Sequence, residues 1–134
     1  MTPDADDVFD FGLPLGEAVD HRGLAFPPDG IRLLAEAAER LRASYRERVR
    51  GIKLVGSRAR GDARRDSDWD LLVFLDACDF DVDLPKVRAI AEALEGRYGL
   101  GSVSISPLDR EKFLGIEAKY PGIHERFRRD AVCL

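Results

Sequence analysis

The stretch Gly56–Asp70, with the sequence Gly-Ser-Arg-Ala-Arg-Gly-Asp-Ala-Arg-Arg-Asp-Ser-Asp-Trp-Asp, constrains the fold of this chain more than any other. It lies between two short apolar runs, residues 52–55 and residues 71–75. Their branched and aromatic side chains, bounded by turn-forming residues, predict that both runs are buried strands. Because alternate side chains of a strand share a face, Asp68 and Asp70 are predicted to point the same way, opposite to the apolar side chains that alternate with them.

The chemistry of this stretch predicts a site for a metal ion and a triphosphate. Two neighbouring carboxylates repel each other, and a shared Mg²⁺ ion, which takes hard oxygen ligands, relieves that repulsion. Gly56 permits close approach of the backbone, and Ser57 offers a hydroxyl and an amide at the start of a short predicted helix. Arg58 and Arg60 add charge-assisted contacts to phosphate. The alternative interpretation is a glycine turn followed by a solvated acidic strand end.

The same residues resemble a known family. Gly56-Ser57, ten further residues and Asp68-Trp69-Asp70-Leu71 resemble the signature of the DNA polymerase beta-like nucleotidyltransferase superfamily. The longer pattern Gly-Ser-Arg-Ala-Arg-Gly…Ser-Asp-Trp-Asp-Leu-Leu-Val resembles its small prokaryotic branch, the minimal nucleotidyltransferases. The resemblance implies an α/β (α+β) fold with a small mixed sheet flanked by helices. It also implies Mg²⁺- or Mn²⁺-dependent transfer of a nucleotidyl group, with AMP from ATP as the expected donor.

The resemblance further implies a role for each residue of the motif. Asp68 and Asp70 are the expected catalytic residues and metal ligands. The expected nucleotide-binding residues are Gly56, Ser57, Arg58, Arg60, Gly61 and Ser67.

The chain departs from the superfamily at the third carboxylate, which lies on a neighbouring strand. The aligned residue here is Ser104, and a serine cannot supply the anion. Two carboxylates still hold one metal ion together with nucleotide phosphates, whereas the second ion of a two-metal site would be weak or absent. Asp109, in the following predicted helix, is an alternative source of the third carboxylate, but its spacing from the strand does not support this role well. Two interpretations therefore stay open, an active nucleotidyltransferase and a non-catalytic nucleotide-binding antitoxin or regulatory subunit.

The expected partner also follows from the resemblance. Only residues 106–134 follow the third predicted strand, too few for the acceptor domain of larger relatives, so the acceptor is expected on another protein. In the minimal branch this partner is a helical HEPN-domain protein. The pair forms a toxin–antitoxin system in which the nucleotidyltransferase, as antitoxin, transfers AMP to a tyrosine. A free-standing nucleotide sensor or small-molecule nucleotidyltransferase is a third alternative, and a homo-oligomer is a further candidate assembly.

Composition narrows the classes of function. The net charge of −4 argues against direct nucleic-acid binding, which favours basic proteins. No apolar run reaches the ~20 residues of a membrane span, and the acidic N-terminus is unlike a signal peptide. Cys78 and Cys133 have neither metal-ligand nor disulfide spacing. The expectation is a cytoplasmic protein that does not associate with membranes.

Arginines cluster in three places. The middle cluster is predicted to contact phosphate, and the first and third are predicted to be solvated faces or partner contacts. The clusters are residues 40–50, 58–65 and 126–129.

Length and periodicity predict one domain over residues 29–134, which the resemblance implies is a nucleotidyltransferase domain. An irregular arm is predicted over residues 1–28, with a short edge strand as the alternative. Helices and strands alternate through the domain. Five helices are predicted: from a cap at Asp29 to Gly51, over residues 58–62, from a cap at Asp83 to about Gly99, over residues 107–118, and from Pro121 onward. The predicted strands cover residues 52–55, 71–75, 101–105 and 131–134.

Overall fold

The computed structural model of the chain describes residues 8–22 and 27–134. A 3₁₀ turn, Arg46–Arg48, lies between the second helix and the second strand. The elements in chain order are β1 (Leu13–Pro14), α1 (Leu15–Arg22), α2 (Pro28–Tyr45), β2 (Val49–Val55), α3 (Ser57–Arg60), β3 (Trp69–Leu75), α4 (Phe80–Tyr98), β4 (Val103–Leu108), α5 (Arg110–Lys119), α6 (Ile123–Asp130) and β5 (Val132–Cys133).

The strands form one mixed five-stranded sheet in the order β1-β5-β2-β3-β4. β2 and β3 pair antiparallel, which brings the two strands that flank the motif side by side. β4 lies parallel to β3 at one edge of the sheet. β5 is antiparallel to β2 and parallel to β1. The mixed sheet with flanking helices confirms the predicted fold class.

The two faces of the sheet bury different clusters of side chains. On the first face, Trp69, Leu71, Val73 and Leu75 of β3 pack with buried residues of α2 and α4. On the second face, Leu72 and Phe74 of β3 pack with aromatic side chains of α5 and of the N-terminal segment, among them Phe113, Phe9 and Phe11. Side chains of β3 alternate between these faces, so Asp70 shares the second face with Leu72. The prediction is confirmed for Asp70, which lies opposite Trp69, whereas Asp68 precedes β3 and its shared direction with Asp70 stays a prediction.

Three predicted boundaries of α2 and α4 are wrong. The N-cap of α2 is Pro27, and Asp29, the predicted cap, lies in the first turn of the helix. The helix expected to run to Gly51 ends at Tyr45, and Gly51 lies inside β2 because residues 49–55 pair with β3. α4 begins at Phe80, where the carboxylate of Asp79 caps it by accepting a hydrogen bond from the amide of Asp81 at 3.0 Å. Asp83, the predicted cap, is instead buried in the first turns of α4.

The buried carboxylate of Asp83 is satisfied by two hydrogen bonds. It accepts one from the Tyr45 hydroxyl at 3.0 Å and one from the amide of Asp79 at 2.9 Å. Burial, reinforced by the hydrogen bond to Asp83 and its charge, raises the pKa of Tyr45 far above its ordinary value. This contact joins α2 to α4, which explains why Asp83 is buried rather than exposed as a cap.

The predicted boundary between the third predicted strand and the next helix is also wrong. β4 continues through Pro107 to Leu108, which is compatible with its place at the sheet edge, where proline is tolerated. α5 is capped by Asp109, whose carboxylate accepts from the amide of Lys112 at 2.8 Å. The predicted short terminal strand is confirmed as β5, which fills the position between β1 and β2.

The alternative of a short edge strand is confirmed at Leu13–Pro14, because β1 lies at the edge of the sheet. The prediction of an irregular arm is wrong for residues 13–22, where β1 is followed directly by α1. Gly12, just before β1, has a positive φ of +100° that favours glycine. The remainder of the predicted arm, residues 1–7 and 23–26, lies outside the described residues. Among the helices that the structure describes, none combines the length and hydropathy needed to cross a lipid bilayer.

Candidate active site

The Gly56 turn brings the backbone directly against Asp70. Gly56 adopts φ +80° and ψ −161°, a conformation open essentially to glycine alone. A Cβ atom placed on Gly56 would lie 2.7 Å from Oδ2 of Asp70. The Gly56 carbonyl also accepts hydrogen bonds from the amides of Ala59 and Arg60, which fixes the single turn of α3 that begins at Ser57. Glycine is therefore required here both by the backbone conformation and by the contact with the carboxylate.

The acidic pair lies at the start of β3. Asp70 pairs in register with Val55 of β2 and with Ser104 of β4, so it sits at the centre of three strands. It is half-buried, whereas Asp68, just before the strand, is exposed. Burial raises the pKa of the Asp70 carboxyl above its ordinary value, the charge of Asp68 raises that pKa further, and Arg60 opposes the shift. The pair thus concentrates negative charge that a cation would stabilise.

The two arginines of the motif occupy different positions. The Arg58 guanidinium stacks on the ring of Trp69 at 4.3 Å and donates to the carbonyls of Arg65 and Ser67 at 3.2 and 3.0 Å. Burial lowers the pKa of Arg58. Arg58 therefore holds the loop that leads to the acidic pair, and its contact with phosphate stays a prediction. Arg60, exposed and 3.3 Å from the carboxylate of Asp62, lines the cleft described below.

The remaining predicted nucleotide-binding residues, Ser57, Gly61 and Ser67, shape the connection between β2 and β3. Ser57 is the first residue of α3. Gly61 ends α3 with φ +86°. The Ser67 hydroxyl accepts a hydrogen bond from the amide of Arg64 at 2.7 Å, which closes the loop immediately before Asp68. The structure thus gives Gly61 and Ser67 local roles in positioning the motif, and their contact with nucleotide stays a prediction.

A cleft of about 610 Å³ opens over this region of the sheet. Gly56, Arg60 and Asp70 are the predicted site residues that line it, and Ser104 and Ser106 of β4 extend its floor. The opposite wall comes from the last helix and the residue after it, with Ile123, Arg126, Phe127, Arg129, Asp130 and Ala131.

The wall formed by α6 is the part of the site that sequence reasoning missed. The sequence predicts the C-terminal arginines to be solvated faces or partner contacts, yet Arg126 and Arg129 line the same cleft as Asp70. Arg129 forms an ion pair with Asp130 at 3.2 Å. Residues 123, 126, 127 and 130 are spaced so that they share one face of a helix. This spacing is the sequence signal that indicates a buried or binding face on α6. Nothing in the sequence of α6, however, specifies which surface that face covers.

The third carboxylate of the superfamily is absent at the expected position. Ser104 is the direct neighbour of Asp70 in the parallel pairing of β3 with β4, and it lines the cleft. Asp109 does not replace it, because its carboxylate caps α5 and accepts from the amide of Cys78 at 3.0 Å. Within residues 8–22 and 27–134 there is no group of three His, Cys, Asp or Glu residues arranged to hold a metal ion.

The donor set nevertheless fits one hard divalent cation. Asp70 in β3 and Asp68 just before it provide carboxylate oxygens, and the absence of a side chain at Gly56 lets the backbone lie close to Oδ2 of Asp70. Mg²⁺ and Mn²⁺ favour such oxygen donors, with waters and phosphate oxygens as the remaining ligands. The site therefore matches a single ion bound together with a nucleotide better than an ion held by the protein alone.

Comparison with known proteins identifies the family. The model of the nucleotidyltransferase domain matches residues 34–126, which is more than half of the chain. The matched segment includes the Gly56 turn, the acidic pair, β4 and the beginning of the α6 wall. No curated protein and no solved structure matches the chain. The chain therefore belongs to the nucleotidyltransferase domain family.

Proposed function

We propose that this nucleotidyltransferase moves AMP from ATP to a hydroxyl group of a partner protein, in a reaction that depends on Mg²⁺ or Mn²⁺. One observation carries the proposal. Asp70 is held against the Gly56 turn in a cleft that Arg60 and Arg126 also line. A carboxylate and arginines in one cleft match a substrate that is bound through its phosphates, with a cation beside the carboxylate.

The proposed reaction is an in-line displacement at the α-phosphate. Arg60 and Arg126 bind and orient phosphate oxygens, and the α6 wall limits access of water. The hydroxyl oxygen of the acceptor forms a bond to the α-phosphorus, the bond from that phosphorus to the bridging oxygen of the β-phosphate breaks, and pyrophosphate leaves. The hydroxyl proton passes to solvent. A divalent cation, when bound by Asp68 and Asp70, would neutralise the negative charge that develops on the α-phosphate.

The partner proposal rests on the resemblance to the minimal nucleotidyltransferases rather than on the geometry of the cleft. The pattern from Gly56 to Val73 follows that branch. We accordingly propose a HEPN-domain toxin as the partner, a tyrosine hydroxyl as the acceptor and an antitoxin role for this chain. The cytoplasm is the proposed compartment for such a pair.

Labelling of the partner tests this function. The protein is incubated with a HEPN-domain protein encoded beside it, Mg²⁺ and ATP that carries ³²P at the α-phosphate. We expect label on the partner with the wild type, and no label when Mg²⁺ is removed by a chelator. ATP that carries ³²P only at the γ-phosphate serves as the control and should leave the partner unlabelled. A stable complex that never becomes labelled, with any of the four nucleotides, would exclude transfer to this partner.

A second candidate function is favoured by Ser104. A site with two carboxylates beside a serine is suited to bind one ion with a nucleotide but lacks the anion that superfamily members use as base or second-metal ligand. The chain would then neutralise the toxin by binding alone. This candidate predicts that D70N neutralises the toxin as well as the wild type does, whereas the transfer function predicts loss of neutralisation.

Replacing Arg126 by alanine is expected to weaken ATP binding about tenfold, because a charge-assisted hydrogen bond is worth roughly 1.5–3 kcal/mol. The measurement is the dissociation constant for ATP with Mg²⁺. R128A is the matched control, since Arg128 is exposed on the same helix and residues two apart do not share a face. Equal dissociation constants for R126A and R128A would remove Arg126 from the site.

A further inference from the structure

The cleft continues into an apolar cavity of about 310 Å³. The two spaces share four lining residues, Leu72, Ser106, Ile123 and Phe127. Eight of the nine residues that line the cavity are apolar, and Ser106 is the exception. A cavity of this size and character is within the range of small-molecule sites, which span roughly 300–1,000 Å³ and are mostly apolar. It is therefore an extension of the active-site cleft rather than a separate surface feature.

The position of the cavity relative to Asp70 defines what can reach it. Leu72 is two residues beyond Asp70 on the same face of β3, which corresponds to about 7 Å along the strand. Ser106 pairs with Leu72 in register, one strand nearer the sheet edge. Gly56 follows β2, on the other side of β3. The order across the sheet is thus the Gly56 turn, then Asp70, then the apolar cavity.

We propose that this cavity receives the base of the nucleotide, an inference that rests on the proposed function. With the β- and γ-phosphates beside the Gly56 turn and the α-phosphate at Asp70, the nucleoside extends away from the turn, toward Leu72 and Ser106. The base then lies against the side chain of Phe127 in α6. Aromatic and aliphatic walls bind a planar base by stacking and by excluding water.

The outer wall of the cavity supports this assignment. Phe80 and Leu84, in the first turns of α4, line the cavity, yet they are 41% and 39% exposed. Large apolar side chains at the mouth of a substrate cleft lose contact with water when a planar group enters, which favours binding. Phe80 and Leu84 would thereby enclose the base between α4 and α6.

The lining also predicts weak selectivity among bases. Ser106 supplies the one side-chain hydroxyl among the residues that line the cavity, so the side chains there lack the paired donors and acceptors that read the edge of a particular base. Apolar pockets discriminate by size, by about 10–200-fold, whereas hydrogen-bonded sites discriminate by about 10⁴-fold or more. We therefore expect ATP and GTP to bind with affinities within about 100-fold of each other, since both are purine nucleotides.

Comparing the affinities for ATP and for inorganic tripolyphosphate separates the contribution of the base and sugar from that of the phosphates. In calorimetric titrations with Mg²⁺, we expect the wild type to bind ATP at least ~10-fold more tightly than tripolyphosphate, because stacking adds to the phosphate contacts. I116W narrows the cavity from a residue that lines the cavity but not the cleft. We expect this variant to bind ATP no more tightly than tripolyphosphate, with the affinity for tripolyphosphate unchanged.

A second variant covers the case in which I116W does not fold. Replacing Phe80 and Leu84 together by alanine removes the outer wall and should also reduce the preference for ATP over tripolyphosphate. V82A is the matched control, because Val82 lies between them and is 59% exposed but does not line the cavity. We expect V82A to behave as the wild type.

The outcomes distinguish this inference from the proposed function. Equal affinity of the wild type for ATP and tripolyphosphate would overturn the base assignment while leaving the phosphate site intact. The base assignment is also overturned if every folded cavity variant keeps the preference for ATP, or if the variants lose only binding to the partner protein, which would make the cavity a docking surface. If the wild type binds neither ligand with Mg²⁺, the proposed function fails and the base assignment falls with it.

Discussion

Replacing Asp70 by asparagine is expected to lower nucleotidyl transfer at least ~100-fold, because it removes one of the two carboxylates that we propose bind the metal ion. The fold should be unaffected, since asparagine has nearly the same shape and the surroundings of the wild-type carboxylate disfavour its charged form. The measurement is the initial rate of transfer of label from ATP to the partner. Calorimetry should show in parallel that Mg²⁺-dependent ATP binding is lost.

The stability of this variant should change in the opposite direction from its activity. Burial and the charge of Asp68 raise the pKa of Asp70, so the ionised carboxylate is less favourable in the folded chain than in the unfolded chain. Without metal, the contribution of Asp70 to wild-type stability should therefore increase as the pH falls through its raised pKa. The asparagine variant lacks this component, and its melting temperature at neutral pH should equal or exceed that of the wild type.

The matched control is D66N, in the same loop but outside the proposed metal site. It should transfer label at close to the wild-type rate. Unchanged transfer by D70N would contradict the metal assignment. A large drop in the melting temperature of D70N would instead show that Asp70 supports the fold rather than the chemistry.

Replacing Gly56 by alanine is expected both to destabilise the fold and to disrupt the site. The residue has φ +80° and ψ −161°, and a non-glycine residue in this region costs about 1–3 kcal/mol. The added Cβ would also lie 2.7 Å from Oδ2 of Asp70 and displace the carboxylate. We expect the free energy of unfolding to fall by about 2 kcal/mol or more, together with loss of Mg²⁺-dependent ATP binding. Urea denaturation and calorimetry measure the two effects.

G115A is the control for this substitution. Gly115 lies within α5, and among the described residues no heavy atom is within 4 Å of a Cβ placed on it. Because its backbone is helical, alanine should stabilise the chain by about 0.4–1 kcal/mol. If G56A is as stable and binds ATP as well as the wild type, the Gly56 turn does not have the role assigned to it.

The part of the site that lies in one continuous stretch was predictable from the sequence. Glycine followed by serine, two apolar runs and an alternating acidic pair all sit within residues 52–75, so local rules of strand periodicity place Asp68 and Asp70 on one face. The separation of the acidic face from that of Trp69 follows from the same rule. The place of Ser104 beside Asp70 was also predictable, but through the resemblance rather than through periodicity.

The remaining features depend on tertiary packing, which local patterns do not encode. The second wall of the cleft comes from α6, about fifty residues after the motif, and its amphipathic face is compatible with several packing partners. Asp79 and Asp83 are both acceptable caps by sequence, and the buried hydroxyl of Tyr45 decides between them. The apolar cavity is likewise invisible to sequence rules, because it forms only where α4, β4 and α6 meet.

The most direct test of the metal and nucleotide site is a calorimetric titration of ATP into the wild type and into the double variant D68N/D70N, each with and without Mg²⁺. We expect the wild type to bind ATP with Mg²⁺ and much more weakly without it, and the double variant to have lost this difference. Binding of ATP by the double variant that still depends on Mg²⁺, with the affinity of the wild type, would contradict the central claim that Asp68 and Asp70 form this site.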